Sequence, residues 1–167
     1  RRRITSKSHK QLTQQPTSFQ NYLDVFRKLG YPVDIQFHSI FPAEGGDLST
    51  LSEAFNKKGA EERWIGIAPF AAHEGKTYPP ELMQQVNKAE ARVPNLRIFL
   101  FGRGKPEEQY FVEWCDKYPV CLHVGSHVEN IKQELILMSH LDVMISMDSS
   151  NMHLASLTAT PVVSIWN

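Results

Sequence analysis

From Trp64 onward, short apolar runs alternate with segments whose apolar residues recur at helical spacing. The runs predict strands over 64–70, 96–101, 120–124, 141–146 and 161–166, and the segments between them predict helices over 80–93, 107–118, 131–138 and 149–157. The runs are apolar without alternation, which is typical of strands covered on both faces. Regular alternation of strand and helix favours a parallel sheet joined by right-handed crossovers. The sequence therefore predicts an α/β, Rossmann-like fold with helices on both faces of the sheet.

The first 62 residues have a different character. Residues 1–16 contain five Lys and Arg residues and no acidic residue. This segment is predicted to be a solvated linker, with contact to an anionic membrane surface as the alternative. Apolar residues at helical spacing predict a helix over 19–29, which Gly30 and Pro32 end. Residues 33–62 are interpreted as a connector with a short amphipathic stretch over 48–55. The predicted division is therefore 1–62 and a domain over 63–167.

The two ends of the sequence suggest a piece of a longer protein. It opens on Arg1 without a methionine, and Asn167 directly follows an apolar run that is interpreted as an interior strand. We expect a fragment cut at one or both ends, with the domain over 63–167 truncated at its C-terminus.

Composition and cysteine content exclude several classes of protein. The 18 basic and 18 acidic residues cancel, so no nucleic acid partner is expected. No run approaches the roughly 18 apolar residues of a membrane span, and no secretory signal is present, which favours a cytoplasmic location. Cys115 and Cys121 match no metal or redox spacing and are predicted to be reduced thiols. Cys121, His123 and His127 lack a fourth zinc ligand, and no Asp-x-Asp pair occurs. No metal site is predicted.

Polar residues gather where the predicted strands end, which is the edge where ligands bind in such sheets. Asp148, Ser149 and Ser150 follow the fourth strand, and His153 lies about one helical turn further on. The hydroxyl and N–H groups of the two serines suit a phosphate at a helix start, with simple N-capping as the open alternative. Asp148 is a candidate for a sugar or ribose hydroxyl, or for a helix cap. His153 either faces the same ligand or packs in the core.

A glycine-containing turn over 102–104 follows the second strand. It resembles a phosphate-binding turn, but Glu107 stands where the third glycine of the dinucleotide fingerprint belongs, so a nicotinamide site is disfavoured. Glu107 or Glu108 could instead accept hydrogen bonds from a ribose. The alternative is that both are exposed carboxylates that the helix dipole favours.

Lys76 and Thr77 lie in the polar loop that follows the first strand. At this edge a lysine could neutralise a diphosphate leaving group. The alternative is an ordinary solvated loop lysine.

The order and spacing of these motifs resemble the donor half of glycosyltransferase family 9, which contains the ADP-heptose:lipopolysaccharide heptosyltransferases. Asp148-Ser149-Ser150-x-x-His153-Leu154-Ala155 is the most specific motif. The other motifs are Ile67-Ala68-Pro69, Lys76-x-Tyr78-Pro79, the Gly102 turn with Glu107, and Pro161-Val162-Val163-Ser164-Ile165-Trp166. The helix over 19–29 with the following residues to Val33 also resembles the segment that joins the two halves in that family.

The resemblance implies a GT-B architecture with a Rossmann-like, nucleotide-sugar-binding C-terminal half over 63–167. Residues 1–62 would be a linker and connecting helix from a missing N-terminal acceptor domain. The implied roles place Lys76 at the diphosphate, Glu107 or Glu108 at the ribose and Asp148 at the sugar. The full set of implied donor-binding residues is Lys76, Thr77, Gly102, Glu107, Glu108, Asp148, Ser149, Ser150 and His153.

The implied reaction is inverting transfer of heptose from ADP-heptose to the lipid A and inner-core oligosaccharide of lipopolysaccharide, without a metal or other cofactor. The general base is expected in the missing half, so no catalytic residue is assigned here and the fragment alone is expected to be inactive. The parent protein would work in the cytoplasm, with peripheral association at the inner membrane as an option.

Two residues depart from the family pattern, and they leave alternatives open. Ser150 stands where the family usually has glycine, and Tyr78 stands where tryptophan is common. A different sugar nucleotide is therefore an alternative donor. The alternative functions are a sugar-nucleotide epimerase of similar fold and a non-enzymatic or degenerate nucleotide-binding module.

Overall fold

The computed structural model describes residues 16–71, 74–90 and 92–166. The chain divides into two compact units, residues 1–37 and 38–167. Most of the predicted linker, residues 1–15, lies outside the described residues. In the first unit, helix α1 spans Ser18–Lys28. Thr17 and Gln20 form a reciprocal capping box at its start, and Gly30 adopts a φ of 86° after its end. The predicted helix over 19–29 is confirmed to within one residue at each end.

The second unit contains a five-stranded parallel sheet. Its strands are β1 (Arg63–Ala68), β2 (Leu96–Leu100), β3 (Cys121–His123), β4 (Val143–Met147) and β5 (Val162–Ile165). Helices α2 (Pro80–Glu90), α3 (Lys105–Lys117), α4 (Ile131–Met138) and α5 (Ser150–Leu157) connect them. The strand order is β3-β2-β1-β4-β5. The predicted α/β, Rossmann-like fold is confirmed.

Both faces of the sheet are covered, which explains the missing alternation in the strands. Trp64, Phe99 and Met144 pack on one face among residues of α4 and α5. Ile67 and Ile98 pack on the other face among residues of α2 and α3. The direction of winding therefore reverses between β1 and β4. Their carboxyl ends form the topological switch point, where ligands bind in folds of this type.

Several strands and helices begin or end a few residues from their predicted bounds, for local reasons. The first strand ends at Ala68, just before Pro69, and not at residue 70. The fourth strand begins at Val143 and not at 141, because the Leu141 N–H still bonds to the carbonyl of Met138 at the end of α4. Helix α3 begins two residues early, at Lys105, with Pro106 in its first turn. The third strand is shortened to three residues by a 3-10 turn over Val124–Ser126.

Residues 38–62 belong to the same compact unit as the sheet. The amphipathic stretch over 48–55 forms only one 3-10 turn, Leu48–Thr50, but buries Leu51 and Phe55 in the core. The Arg97 guanidinium on β2 donates to the carbonyl of Ala54. The compact unit therefore begins 25 residues before the predicted boundary at residue 63, because apolar residues of the connector fill the core. No helix in the described part of the chain is long and apolar enough to span a membrane.

Candidate functional site

A cleft of about 720 Å³ opens at the carboxyl edge of the sheet. Seven of the nine residues predicted at the site line it: Lys76, Gly102, Glu107, Asp148, Ser149, Ser150 and His153. They come from three separate segments, after β1, after β2 and after β4. The parallel topology therefore brings together residues that are far apart in the sequence.

An ion pair crosses the switch point inside this cleft. The Lys76 Nζ lies 2.5 Å from Asp148 Oδ2. Lys76 ends the 3-10 turn Glu74–Lys76 after β1, and Asp148 directly follows β4. The lysine side chain is 47% exposed and the aspartate side chain 20%. The pair therefore places one cation and one acceptor at the mouth of the gap between the two strands.

Helix α5 begins beside this ion pair without a side-chain cap. Ser149 is its N-cap residue, but the serine hydroxyl makes no capping hydrogen bond. Instead the Ser149 Oγ lies 3.2 Å from the Oγ of Ser146, which is fully buried at the end of β4. The N-capping interpretation of Ser149 is therefore wrong as far as its side chain is concerned. The N–H groups of the first turn of α5 keep the partial positive charge of a helix start.

The turn after β2 is shaped around the Glu107 carboxylate. A Cβ at Gly102 would lie 2.5 Å from Glu107 Oε2 and 2.9 Å from the Phe111 ring, so a larger residue here would displace the carboxylate from this position. Gly104 adopts a φ of 149°, which also favours glycine. Partial burial raises the pKa of Glu107, and the hydrogen bond from the backbone N–H of Arg103 offsets only part of that effect. Glu107 is therefore a desolvated carboxyl group held at the cleft wall.

Thr77 and Glu108 do not line the cleft with the other predicted residues. The Thr77 hydroxyl accepts a hydrogen bond of 3.2 Å from the Ala71 N–H, so it stabilises the loop after β1. Glu108 is exposed on α3, one position past Glu107 and therefore turned about 100° around the helix. Their assigned donor contacts stay predictions.

The sequence interpretation missed a second ion pair in the cleft. The Nε and Nη2 of Arg103 donate to Glu134 Oε1 over 2.9 and 2.6 Å. Glu134 lies on α4 and only 9% of it is exposed. A signal was present, because Glu134 falls at helical spacing between Ile131 and Met138 in an otherwise apolar stripe. A charged residue at such a position rarely occurs without a partner.

The cysteine and histidine residues that were considered as metal ligands make other contacts. Burial, aided by the nearby Cys115 and Glu90, raises the pKa of the Cys121 thiol to about 12. His123 contacts the Ser126 hydroxyl through Nδ1 at 2.9 Å, and His127 packs edge-on against Phe55. In the described ranges, no group of three His, Cys, Asp or Glu side chains is arranged to hold a metal ion.

The sequence as a whole matches one family model. The model described as glycosyltransferase family 9 (heptosyltransferase) matches residues 2–167. The chain belongs to glycosyltransferase family 9. The resemblance seen in the motifs is therefore confirmed. No curated protein matches the chain.

Solved structures of heptosyltransferases share the fold of this family 9 chain. The Escherichia coli heptosyltransferase WaaC with ADP superposes with a TM-score of 0.68 at 15% identity, over 91% of this chain and 46% of that one. The E. coli ADP-heptose lps heptosyltransferase II gives 0.56 at 21% identity, over 65% and 34%. A family 9 glycosyl transferase from Veillonella parvula gives 0.60 at 17% identity, over 86% and 41%. The chain thus spans less than half the length of these structures.

Proposed function

We propose that this chain is the nucleotide-sugar-binding half of a family 9 glycosyltransferase, and that the donor binds in the cleft at the carboxyl edge of the sheet. The observation that carries the proposal is the Lys76–Asp148 pair across the switch point, beside the start of α5. Membership of the family supports a transferase rather than an epimerase or a non-enzymatic module.

The diphosphate of the donor fits the start of α5. Backbone N–H groups at a helix start bind anions, and Ser149 does not occupy them with its side chain. Lys76 is half exposed, and its ion pair among the described residues is with Asp148, so its ammonium group could turn toward a phosphate oxygen. His153 lines the same wall one turn into the helix. This end of the cleft therefore combines a mobile cation with fixed N–H donors.

The carboxylates of the cleft fit the hydroxyl groups of the donor. Asp148 would accept hydrogen bonds from the sugar once Lys76 turns to the diphosphate. Glu107 would accept hydrogen bonds from the ribose, because its carboxyl group is partly desolvated and already held by the Arg103 N–H. Hydroxyl donors at both positions would satisfy acceptors that are otherwise costly to desolvate.

The reaction that we propose is inverting transfer of a sugar from a nucleoside diphosphate. An acceptor hydroxyl attacks the anomeric carbon, and the bond from that carbon to the diphosphate oxygen breaks as the nucleoside diphosphate leaves. Lys76 and the N–H groups of α5 would stabilise the leaving charge without a metal. The general base that takes the proton of the acceptor would come from the other half of the enzyme.

We further propose ADP-heptose as the donor and the lipopolysaccharide inner core as the acceptor. Two of the similar structures are described with ADP and with ADP-2-deoxy-2-fluoro heptose, which supports an adenine nucleotide. The reaction would then take place at the cytoplasmic face of the bacterial inner membrane.

Titration calorimetry with ADP, UDP, GDP and NAD tests the nucleotide site. We expect selective ADP binding that is roughly 10- to 100-fold weaker in Lys76→Ala, because a charge-assisted contact is lost. Lys88→Ala is the matched control, since Lys88 is an exposed lysine on α2 away from the cleft. Asp148→Asn should weaken ADP-heptose more than ADP. A folded chain that binds no nucleotide, or a Lys76→Ala variant that binds like the Lys88→Ala control, would contradict the proposal.

A further inference from the structure

The Arg103–Glu134 pair fixes a guanidinium plane at the cleft wall. Two N–H groups of Arg103 converge on one oxygen of Glu134, and that carboxylate side chain is only 12% exposed. The arginine side chain is 53% exposed and lines the cleft. Releasing Arg103 would leave an almost buried carboxylate without its counter-charge, which is strongly unfavourable. The pair therefore orients Arg103 without the help of a ligand.

This pair differs from Lys76–Asp148 in what it offers a ligand. Lys76 is a point charge on a flexible stem and makes one contact with Asp148. Arg103 is a planar group whose charge is balanced by Glu134 and whose orientation two hydrogen bonds determine. Because two of its N–H groups are already taken by Glu134, Arg103 has fewer donors left for a diphosphate than an unpaired arginine would have. It is well suited to stack against a flat aromatic ring with its face or to bond to a ring edge with Nη1.

The start of α4 supplies the matching apolar surface. Ile131 is the first residue of α4, is 52% exposed and lines the cleft. It lies three residues before Glu134 and therefore on the same face of the helix. An exposed isoleucine one helical turn before the partner of Arg103 gives the cleft an apolar surface on which a flat heterocycle could pack. A charged diphosphate would gain no binding energy from an apolar surface of this kind.

We propose that Arg103, positioned by Glu134, contacts the nucleobase of the donor nucleotide and contributes to its affinity and selectivity. The inference rests on the proposed function, because it assumes that the start of α5 takes the diphosphate. Glu134 is a positioning residue that acts through Arg103.

Competition against a fluorescent ribose-labelled ADP analogue tests the assignment with the full 167-residue chain. ADP and inorganic pyrophosphate are the competitors, since only ADP carries a base. We expect Arg103→Ala to bind ADP about tenfold more weakly, the usual scale for losing a stacking partner, and pyrophosphate within twofold of wild type. Arg103→Lys should lose as much, because it keeps the charge and loses the plane. Lys76→Ala is the comparator and should weaken both competitors.

A double-mutant cycle tests the positioning role of Glu134. Glu134→Gln should weaken ADP by a smaller factor than Arg103→Ala, and it should add no loss in the Arg103→Ala background. A merely structural role for Glu134 would weaken ADP equally in both backgrounds, which overturns its assignment.

The outcomes separate this inference from the proposed function. If the folded wild-type chain binds neither the analogue nor unlabelled ADP, both are overturned. If it binds and Arg103→Ala leaves ADP affinity unchanged, or weakens ADP and pyrophosphate by the same factor, only the nucleobase assignment is overturned.

Discussion

Strand β4 has a lysine–aspartate ion pair at each end, and the surroundings of the two pairs differ. At the amino end, Asp142 Oδ2 accepts hydrogen bonds from Lys58 Nζ at 2.8 Å and from the backbone N–H of Trp64 at 2.7 Å. Lys58 donates in addition to the carbonyl of His140. The amino-end pair therefore joins the end of the segment over 38–62 to the first residues of β1 and to the turn before β4.

At the carboxyl end, Asp148 contacts Lys76 and faces the cleft. Asp142 is paired with Lys58 and with the backbone N–H of Trp64, whereas Asp148 is paired with Lys76 and lines an open cleft beside the start of α5. An ion pair by itself therefore does not indicate a ligand site. An acceptor that is bonded to a backbone N–H of a neighbouring strand contributes to stability, and an acceptor facing a cleft beside uncapped N–H donors remains available for a ligand.

The largest expected effect is that removing Asp142 mainly lowers stability, whereas removing Asp148 mainly weakens donor binding. Asp142→Ala should lower the free energy of unfolding by about 2 kcal/mol, because the buried Trp64 loses the acceptor for its N–H and Lys58 loses its counter-charge. Asp148→Ala should lower it by less than about 1 kcal/mol, since its partner is half exposed. Urea unfolding of the two variants measures both values. Calorimetry should show that Asp148→Ala weakens binding of the nucleotide sugar more than Asp142→Ala does.

Asp142→Asn is the matched control, because its amide oxygen can still accept the Trp64 N–H. It should recover part of the loss. A destabilised Asp148→Ala variant with normal donor binding would show that both pairs are structural.

Much of the fold was predictable, because each strand is a continuous apolar run and each following helix repeats at 3.6 residues. Helix α4 was predicted with its exact bounds, Ile131–Met138. The strand order and the role of residues 38–62 were not predictable, because they depend on packing. Phe55 reaches the core between Phe99 and His127 from an irregular segment whose own periodicity is weak.

The site residues were predictable where polar residues or glycines directly follow the end of a strand. Asp148, Ser149 and Gly102 belong to that class, and the parallel topology brings them to one cleft. Glu134 was not found, because it lies inside a helix and follows no strand end, although it lines the cleft and pairs there with Arg103. Thr77 was adjacent to Lys76 in the sequence, but its hydroxyl bonds within its own loop. Adjacency in a loop does not determine which side chain faces the ligand.

A smaller effect concerns the pH dependence of stability at the two edges. Partial burial alone would raise the pKa of Asp142, but the hydrogen bonds from Lys58 and Trp64 and the charges of Lys58 and Arg63 outweigh it and lower the pKa. Its contribution to stability is therefore present above the ordinary aspartate pKa of about 3.9 and is lost as the pH falls through the lower folded value. The stability difference between wild type and Asp142→Asn should shrink as the pH falls below about 4.

Glu107 at the cleft should show the opposite sign, because burial raises its pKa. A raised carboxyl pKa favours folding below the ordinary value of about 4.3, and that advantage is lost as the pH rises through the folded value. Glu107→Gln should therefore gain stability relative to wild type as the pH rises from about 4 to 7, in urea unfolding at each pH. If the stability of Asp142→Asn and of Glu107→Gln, each relative to wild type, changed with pH in the same direction, the two edges would not differ in this respect.

The smallest expected effect concerns Ser150, where the family motif usually has glycine. Ser150 is the exposed first residue of α5 and lines the cleft, so its Cβ stands beside the N–H groups that we assign to the diphosphate. Ser150→Gly should bind ADP about two- to threefold more tightly by allowing a closer backbone approach, while the helix loses about 0.5 kcal/mol of stability. Ser156→Gly, in the last turn of α5, is the matched control that should show only the stability loss. Weaker ADP binding by Ser150→Gly would mean that the hydroxyl itself contacts the phosphate, because removing it would then cost a hydrogen bond at the anion site. The start of α5 would then still bind the diphosphate, through the Ser150 hydroxyl in place of a closer backbone approach.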